Sequence, residues 1–474
     1  MQFDDSEYVL DNVMVLQGLT LEGFIWAWTT FHSCNWHPIT WLSHMLDCNL
    51  YGLNPVGHHM TSLFFHVFNT HLLFYFIQRT THQSLCAFMI AMIFGLHPIH
   101  VESVAWIAER KDVLSTSFFL LGLIGYDRYV RTHKMVFYLL TFLCFICGLL
   151  SKPMVITFPC VLLLVDIWPL KRIESHVMIS KLMKEKIPFI VVSIISAGIT
   201  LYAQTQSGVV QPFSEITFTA RIVNASISLV GYVFKFINPC QLAVFYPHAG
   251  SAFEWIDSWK PILLIALVVV FSWNQAKQKP FIFVGLLWYG ITFIPVSGVI
   301  QVGIQSMADR YMYIPSIGIS IAFIFGIVGF LKHVWIQRIV LAGFMIWCIV
   351  LGNLTHRQIR YWENTLSLFS HAIEVNQHLC DQLLHPCLLT YMGCDVYQEA
   401  ILKNQTFIEL VQYTAKLSVR TGTHLMTMGQ PSLAMKYFDQ AINLCKSHTG
   451  ACLDTLTMAR KNMEILRTSC NQQR

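Results

Sequence analysis

Residues 96–115 run Leu96-His97-Pro98-Ile99-His100-Val101-Glu102 and on through Ala108-Glu109-Arg110-Lys111-Asp112, a dense polar stretch between apolar runs at 84–97 and 113–127. Acids and bases at this density do not rest in hydrocarbon, and the flanking runs are too apolar for a wet surface. A chain that crosses a membrane repeatedly and keeps its chemistry at the edge accommodates both. Further apolar runs lie at about 60–77, 135–150, 153–168, 187–203, 260–274, 281–297, 311–331 and 337–353, several near the lower length limit for a span. Only 12% of the 474 residues are charged, about half the share of a water-soluble chain. The fold expected is all-α, a polytopic transmembrane helical bundle of about ten spans.

The formal charge of +5 is too small and dispersed to call for a nucleic-acid partner, but its placement orients the chain in a bilayer. With residues 1–58 outside, the inner loops hold Arg79; Arg128, Arg131 and Lys134; Lys171, Arg172, Lys181, Lys184 and Lys186; Lys277 and Lys279; and Lys332 and Arg338. This works only if 221–238, interrupted by Arg221, Asn224, Ser226, Ser228 and Lys235, does not cross. We therefore expect an interfacial or re-entrant helix there, on the outer side. Both ends of the chain then face outward, and Asp4, Asp5, Glu102, Arg110, Lys111, Asp112, Lys152, Tyr246, His248, Asp309 and Arg310 gather near one outer surface.

Three regions follow: 1–58, 59–354 and 355–474. The first is an outer loop with two Trp-bearing interfacial helices, one N-capped by Thr20 and one with Pro38 in its first turn. The second is the membrane body. In the third, Ala434, Phe438 and Ala441 match the second helix of a tetratricopeptide repeat, and Leu366 to Asn376, with Phe369, Ala372 and Ile373, is a weaker copy. With so few units, this helical tail is expected to lean on the membrane body or an oligomer.

Several residues can carry chemistry. Asp4 and Asp5 either solvate and cap a loop or, at the mouth of a membrane cavity, accept a proton from a hydroxyl nucleophile. Arg110, Lys111, Lys152 and Arg310 either anchor span edges or hold a phosphate. His97, His100 and Glu102 can bind a divalent metal, but their spacing lacks a fourth ligand, so polar contacts shaping the outer loop are favoured, no metal site is assigned and the cofactor stays open. Tyr246, His248 and Asp309 are candidates to contact or shape a substrate. P-loop, Rossmann, HExxH and GxSxG signatures are absent in any supporting context, which argues against a nucleotide-driven pump or a serine hydrolase.

The runs FDDSEYVLDN (3–12), NWHPITWLSHMLDCNLYGLNPVGHH (35–59), LHPIHVESVAWIAERKDVLS (96–115), LSKPMVITFPCVLLLVDIWPL (150–170), LAVFYPH (242–248) and ADRYMYIPSIG (308–318) carry a resemblance. Over residues 3–375 the chain resembles bacterial C-superfamily glycosyltransferases with C-terminal tetratricopeptide repeats. These are similar to the transmembrane and tetratricopeptide-repeat O-mannosyltransferases. The resemblance implies transfer of mannose or a similar hexose, with inversion, from a polyprenyl-phosphate donor to a Ser or Thr hydroxyl of an acceptor polypeptide. It places this on the non-cytoplasmic face of a multi-pass membrane protein, here a bacterial inner membrane with 1–58 and the tail in the periplasm. The base it implies maps onto Asp5, with Asp4 beside it, and the donor phosphate falls to Arg110, Lys111, Lys152 and Arg310. Relatives carry one more span ahead of the acid pair. The alternatives are a lipid or envelope-glycan acceptor with the same donor, and a non-catalytic scaffold or transporter whose repeats recruit partners.

Overall fold

The structure, a computed structural model, describes residues 5–172, 176–248, 255–303, 305–329, 333–382, 405–427, 431–446 and 452–472. Its N-terminal segment carries the helices Val13–Leu16 (α1), Leu21–Thr29 (α2) and Pro38–Tyr51 (α3). The Thr20 hydroxyl accepts from Gly23 N–H to start α2, and Pro38 opens α3, as expected. The body follows with Pro55–Thr81 (α4), Ser84–Leu96 (α5), Val101–Ala105 (α6), Arg110–Thr132 (α7), Met135–Leu149 (α8), Phe158–Ile167 (α9), His176–Gln206 (α10) and Phe218–Ile237 (α11). Then come Trp255–Gln275 (α12), Pro280–Phe293 (α13), Pro315–Val328 (α14) and Val334–Tyr361 (α15). The tail holds Thr365–Gln382 (α16) and the helices Gln405–Thr427, Pro431–Lys446 and Leu453–Gln472. Two short antiparallel strands, Tyr246–Pro247 (β1) and Gln305–Met307 (β2), are the sheet among the described residues of this all-α chain.

Among the described residues, five helices are long and apolar enough to cross a membrane: Pro55–Thr81, Ile179–Gln206, Phe218–Ile237, Ser258–Gln275 and Trp335–Tyr361. A sixth arises if Ser84–Leu96 and Pro98–Ala105, bent by 52°, form one span. Pro98 causes this bend by holding His97 extended at φ −77°, ψ 128°. Four further apolar helices, Met135–Leu149, Pro153–Ile167, Pro280–Val296 and Pro315–Val328, are shorter. The chain is thus a multi-pass membrane protein. The 113–127 run belongs to α7, whose first and last turns are charged, and prolines shorten others.

The 221–238 stretch departs from expectation in one respect, because α11 is a continuous 20-residue helix long and apolar enough to cross. Its polar residues nevertheless form one face that packs along residues 305–308 and towards Gln301. Arg221 donates to the Gln211 carbonyl, and Gln211 N–H donates to the Gln301 carbonyl. Asn224 and Ser228 donate to the Ser306 carbonyl, and Tyr232 bonds both N–H and C=O of Ala308. The side chains that interrupt the apolar run satisfy the backbone of a loop.

Aromatic packing of Phe119, Phe145, Phe158 and Phe189 ties α7, α8, α9 and α10 together. Small residues set the α13–α14 crossing, where a Cβ on Gly285 would meet the Gly318 carbonyl at 2.5 Å. In the tail, Ala434, Phe438 and Ala441 are buried as their spacing suggests, with the Phe438 ring against Gly422. Helix α16 leans on the body, its Asn376 amide donating to the Phe245 carbonyl at 3.0 Å. The last apolar helix passes the expected boundary at 354 and ends at Tyr361.

Arg110 fixes the start of α7. Its guanidinium is fully buried, pairs with Asp47 at 2.7 Å and donates to Ser62 and to the His58 carbonyl. Arg110→Gln leaves Asp47 buried and unpaired, and should cost about 3–5 kcal/mol by denaturant titration in mixed micelles. Gly285→Ala should cost about 1–3 kcal/mol by the same measurement through overpacking. Gly290→Ala, where a Cβ meets nothing within 4 Å, should be tolerated.

Candidate active site

The short turn Ile107–Glu109 and the first turn of α7 bring Glu109, Lys111 and Asp112 to one place. Lys152 arrives from the α8–α9 junction and Arg310 from the turn before α14. Glu109 lies 3.0 Å from Lys111, 3.2 Å from Lys152 and 3.5 Å from Arg310. Lys152 also pairs with Asp112, and Arg310 with Glu102. Three cations and three carboxylates balance, which lets the cluster be buried at all. Burial alone would push the Glu109 carboxyl up, but Lys111, Lys152 and Arg310 hold it well below the usual carboxylate range. Asp112 goes the other way, pushed up to about 6 by burial and by Glu109 despite Lys152.

The three basic side chains retain 13%, 12% and 14% exposure at Lys111, Lys152 and Arg310, whereas Arg110 retains 0%. That difference separates them in kind. Glu109, Lys111, Lys152 and Arg310 line a cavity of about 360 Å³, together with His37, Gln301 and Tyr311. Arg110, expected among the phosphate ligands, faces α3 and α4 and does not line it. Lys111 donates to Glu109, the Tyr8 hydroxyl and the Ala108 carbonyl, using its three protons. Lys152 meets two carboxylates, and among the described residues nothing bonds Nη2 of Arg310. Lys152 and Arg310 therefore keep donors for an anion.

Asp5 is buried and accepts the Ala108 N–H at 2.9 Å. One residue thus ties the acid, on its N–H, to Lys111, on its C=O. Asp5 lines a second, mostly apolar cleft of about 610 Å³ between α4 and α15, with Met60, Leu63, Val104, Trp106 and Ile359. Trp106 links the two spaces in position: it lines the cleft, and the guanidinium of Arg310, which lines the charged cavity, lies 5.2 Å from its ring. Asp4 lies outside the described residues.

The remaining candidates shape the surroundings. His97 Nε2 lies 2.8 Å from the Phe236 carbonyl, and His100 sits between the Phe94 carbonyl and the Ser316 hydroxyl. Both imidazoles are engaged by separate structural partners, and among the described residues no group of three or more His, Cys, Asp or Glu is arranged to hold a metal ion. Tyr246 donates to Asp309 at 3.0 Å, and Lys235 donates to the same hydroxyl at 3.1 Å. Asp309 is pushed up to about 6 by burial, with Lys235 opposing. His248 is buried. Sequence reasoning placed Glu109 in the deciding polar stretch without giving it a role, and it passed over Tyr8 and Trp106. Only the adjacency of Glu109 to Arg110-Lys111 offered a signal.

No family model matches the chain, and no solved structure matches it. The human protein O-mannosyl-transferase TMTC1 is 25% identical over 397 residues, which covers 73% of this chain and 44% of that protein. The human protein O-mannosyl-transferase TMTC4 is 25% identical over 447 residues, covering 79% of this chain and 59% of that protein. The Caenorhabditis elegans protein O-mannosyl-transferase F38B6.6 is 24% identical over 397 residues, covering 79% and 54%. The chain spans about half the length of these relatives, and along most of its own length it is similar to the TMTC-type O-mannosyl-transferases.

Proposed function

We propose that this chain is a membrane glycosyltransferase that moves mannose or a similar hexose from a polyprenyl-phosphate donor to a Ser or Thr hydroxyl of a polypeptide. The observation that supports it best is the meeting of Lys111, Lys152 and Arg310, from three distant segments, on one cavity beside the cleft that Asp5 lines. The relatives named above are called protein O-mannosyl-transferases, which agrees. Lys152 and Arg310 hold the donor phosphate; Lys111 positions Glu109, Tyr8 and the 108 backbone. The acceptor hydroxyl approaches from the Asp5 side and attacks the anomeric carbon as Asp5 takes its proton. The bond to the phosphate oxygen breaks, the lipid phosphate leaves with the electron pair, and the configuration inverts. Cations already in place stabilise the charge that grows on the leaving group. Helix α11 stays on the non-cytoplasmic side with this site, and the tail presents acceptor polypeptide.

The apolar lining of the Asp5 cleft also suits a lipid, so an acceptor of that class is the second reading. Membranes carrying the full chain, incubated with labelled polyprenyl-phosphate mannose, distinguish the two. Asp5→Asn should reduce protein labelling by at least about a hundredfold. Unchanged labelling would remove Asp5 as the base, and label confined to lipid would favour the second reading. Protonation adds a separate signature. Above about pH 6 an ionised Asp112 competes with the donor phosphate for Lys152; below it the neutral acid does not. Affinity for the phosphodiester donor should therefore rise several-fold as the pH falls through about 6, and Asp112→Asn should flatten that rise in a binding titration.

A further inference from the structure

Two side chains lining the charged cavity are buried and short of hydrogen bonds. His37, at the start of α3, stacks on Trp41 at 4.8 Å and Tyr8 at 5.8 Å, and neither ring nitrogen has a hydrogen-bond partner among the described residues. Gln301, from the extended segment beside α11, donates through Nε2 to the carbonyls of Gly303 and Gln305 at 3.2 and 2.8 Å. Those two bonds fix the amide, and its Oε1 is buried without a partner among the described residues. His37 is 0% exposed and Gln301 2%, so water does not make up the difference from bulk. A buried polar atom left in this state costs about 1–3 kcal/mol, which an arriving partner recovers. His44 is also unpaired, but it does not line the cavity.

The chemistry of the three atoms selects the partner. Burial, and next the charge of Lys111, hold the His37 ring well below its usual pKa, so it is neutral and offers one donor and one acceptor. Gln301 Oε1 offers only an acceptor. A phosphate oxygen, itself an acceptor, pairs with the His37 donor and with nothing else in the set. A sugar hydroxyl both donates and accepts, and therefore satisfies every one of these atoms. Lys152 and Arg310, with cationic donors directed at the same space, suit the phosphate instead. The cavity is thus divided by hydrogen-bond character into an anion part and a hydroxyl part.

We infer that His37 and Gln301 form the sugar subsite of this cavity and bind ring hydroxyls of the donor's hexose. The inference rests on the glycosyltransferase reading above and goes further by assigning the residues that recognise the sugar apart from those that hold the phosphate.

The test compares two ligands on the solubilised full chain: a short-chain polyprenyl-phosphate mannose and the same polyprenyl phosphate without sugar. His37→Phe keeps the stacking with Trp41 and Tyr8 and deletes both ring nitrogens. Gln301→Met keeps the side-chain length, adds no charge and deletes the Oε1 acceptor. Each variant should weaken binding of the mannosyl lipid about five- to tenfold and leave the sugar-free lipid within about twofold of wild type. Should either variant fail to fold, the other carries the comparison; folding is checked by thermal unfolding. Equal weakening of both lipids, or of neither, would overturn the subsite while the donor reading stands. If folded wild-type chain binds neither lipid, the glycosyltransferase reading itself falls and the subsite with it.

Discussion

Glu109 is the point on which the charged layer of the molecule depends. Three cations, 2, 43 and 201 positions from it in sequence, would repel one another in a desolvated cavity; one carboxylate placed among them turns repulsion into a junction. The tie is also topological. It fixes the start of α7 to the α8–α9 junction and to the turn before α14, so three stretches of backbone are held in one layer. Glu102 and Asp112 complete the neutralisation. A buried array of this kind is not a source of stability in itself, because removing six ions from water costs about as much as their attraction returns. What it supplies is position: the donors of Lys152 and Arg310 are held ready before any anion arrives.

The membrane imposes the second constraint. Non-helical backbone at depth must be covered and hydrogen-bonded by protein, since lipid offers no partners. Residues 305–308 meet that requirement through α11, whose Asn224, Ser228 and Tyr232 serve the Ser306 carbonyl and the N–H and carbonyl of Ala308. The same contacts hold the backbone that lies between Gln301 and Arg310, both of which line the charged cavity. Polar residues inside an apolar helix are here the support for a loop, and the loop carries two of the cavity's walls.

This accounts for what could be read from residues alone. The all-α membrane class followed from apolar runs and scarce charge, both of which are properties of short windows. The gathering of Lys111, Lys152 and Arg310 followed from alternating the sides of successive runs, a rule that needs no contacts. The same rule assigned Arg110 with Lys111, because it places residues on a side of the membrane and cannot say which way adjacent side chains point. On a helix, neighbours are about 100° apart, so one faces the cavity and the other enters the α3–α4 core. Run length and helix length diverge for a related reason: proline and charged turns shorten helices without erasing their apolar signal. His37 and Gln301 gave no signal at all, since an unpaired buried atom is a property of three-dimensional surroundings.

Electrical balance at the cavity also bears on turnover. A site carrying three uncompensated cations would bind a lipid phosphate strongly whether or not it still bore a sugar, and the leaving group would remain as an inhibitor. With Glu102, Glu109 and Asp112 in place, an entering phosphate instead competes for donors that already have partners, so its net attraction is modest. The energy that distinguishes substrate from product must then come from contacts the product lacks. The hydroxyl contacts proposed for His37 and Gln301 are of that kind, being lost once the sugar departs. On the proposed reading, a charge-paired anion site joined to a hydroxyl site favours the loaded donor on entry and releases the empty carrier afterward, a division that neither part achieves by itself.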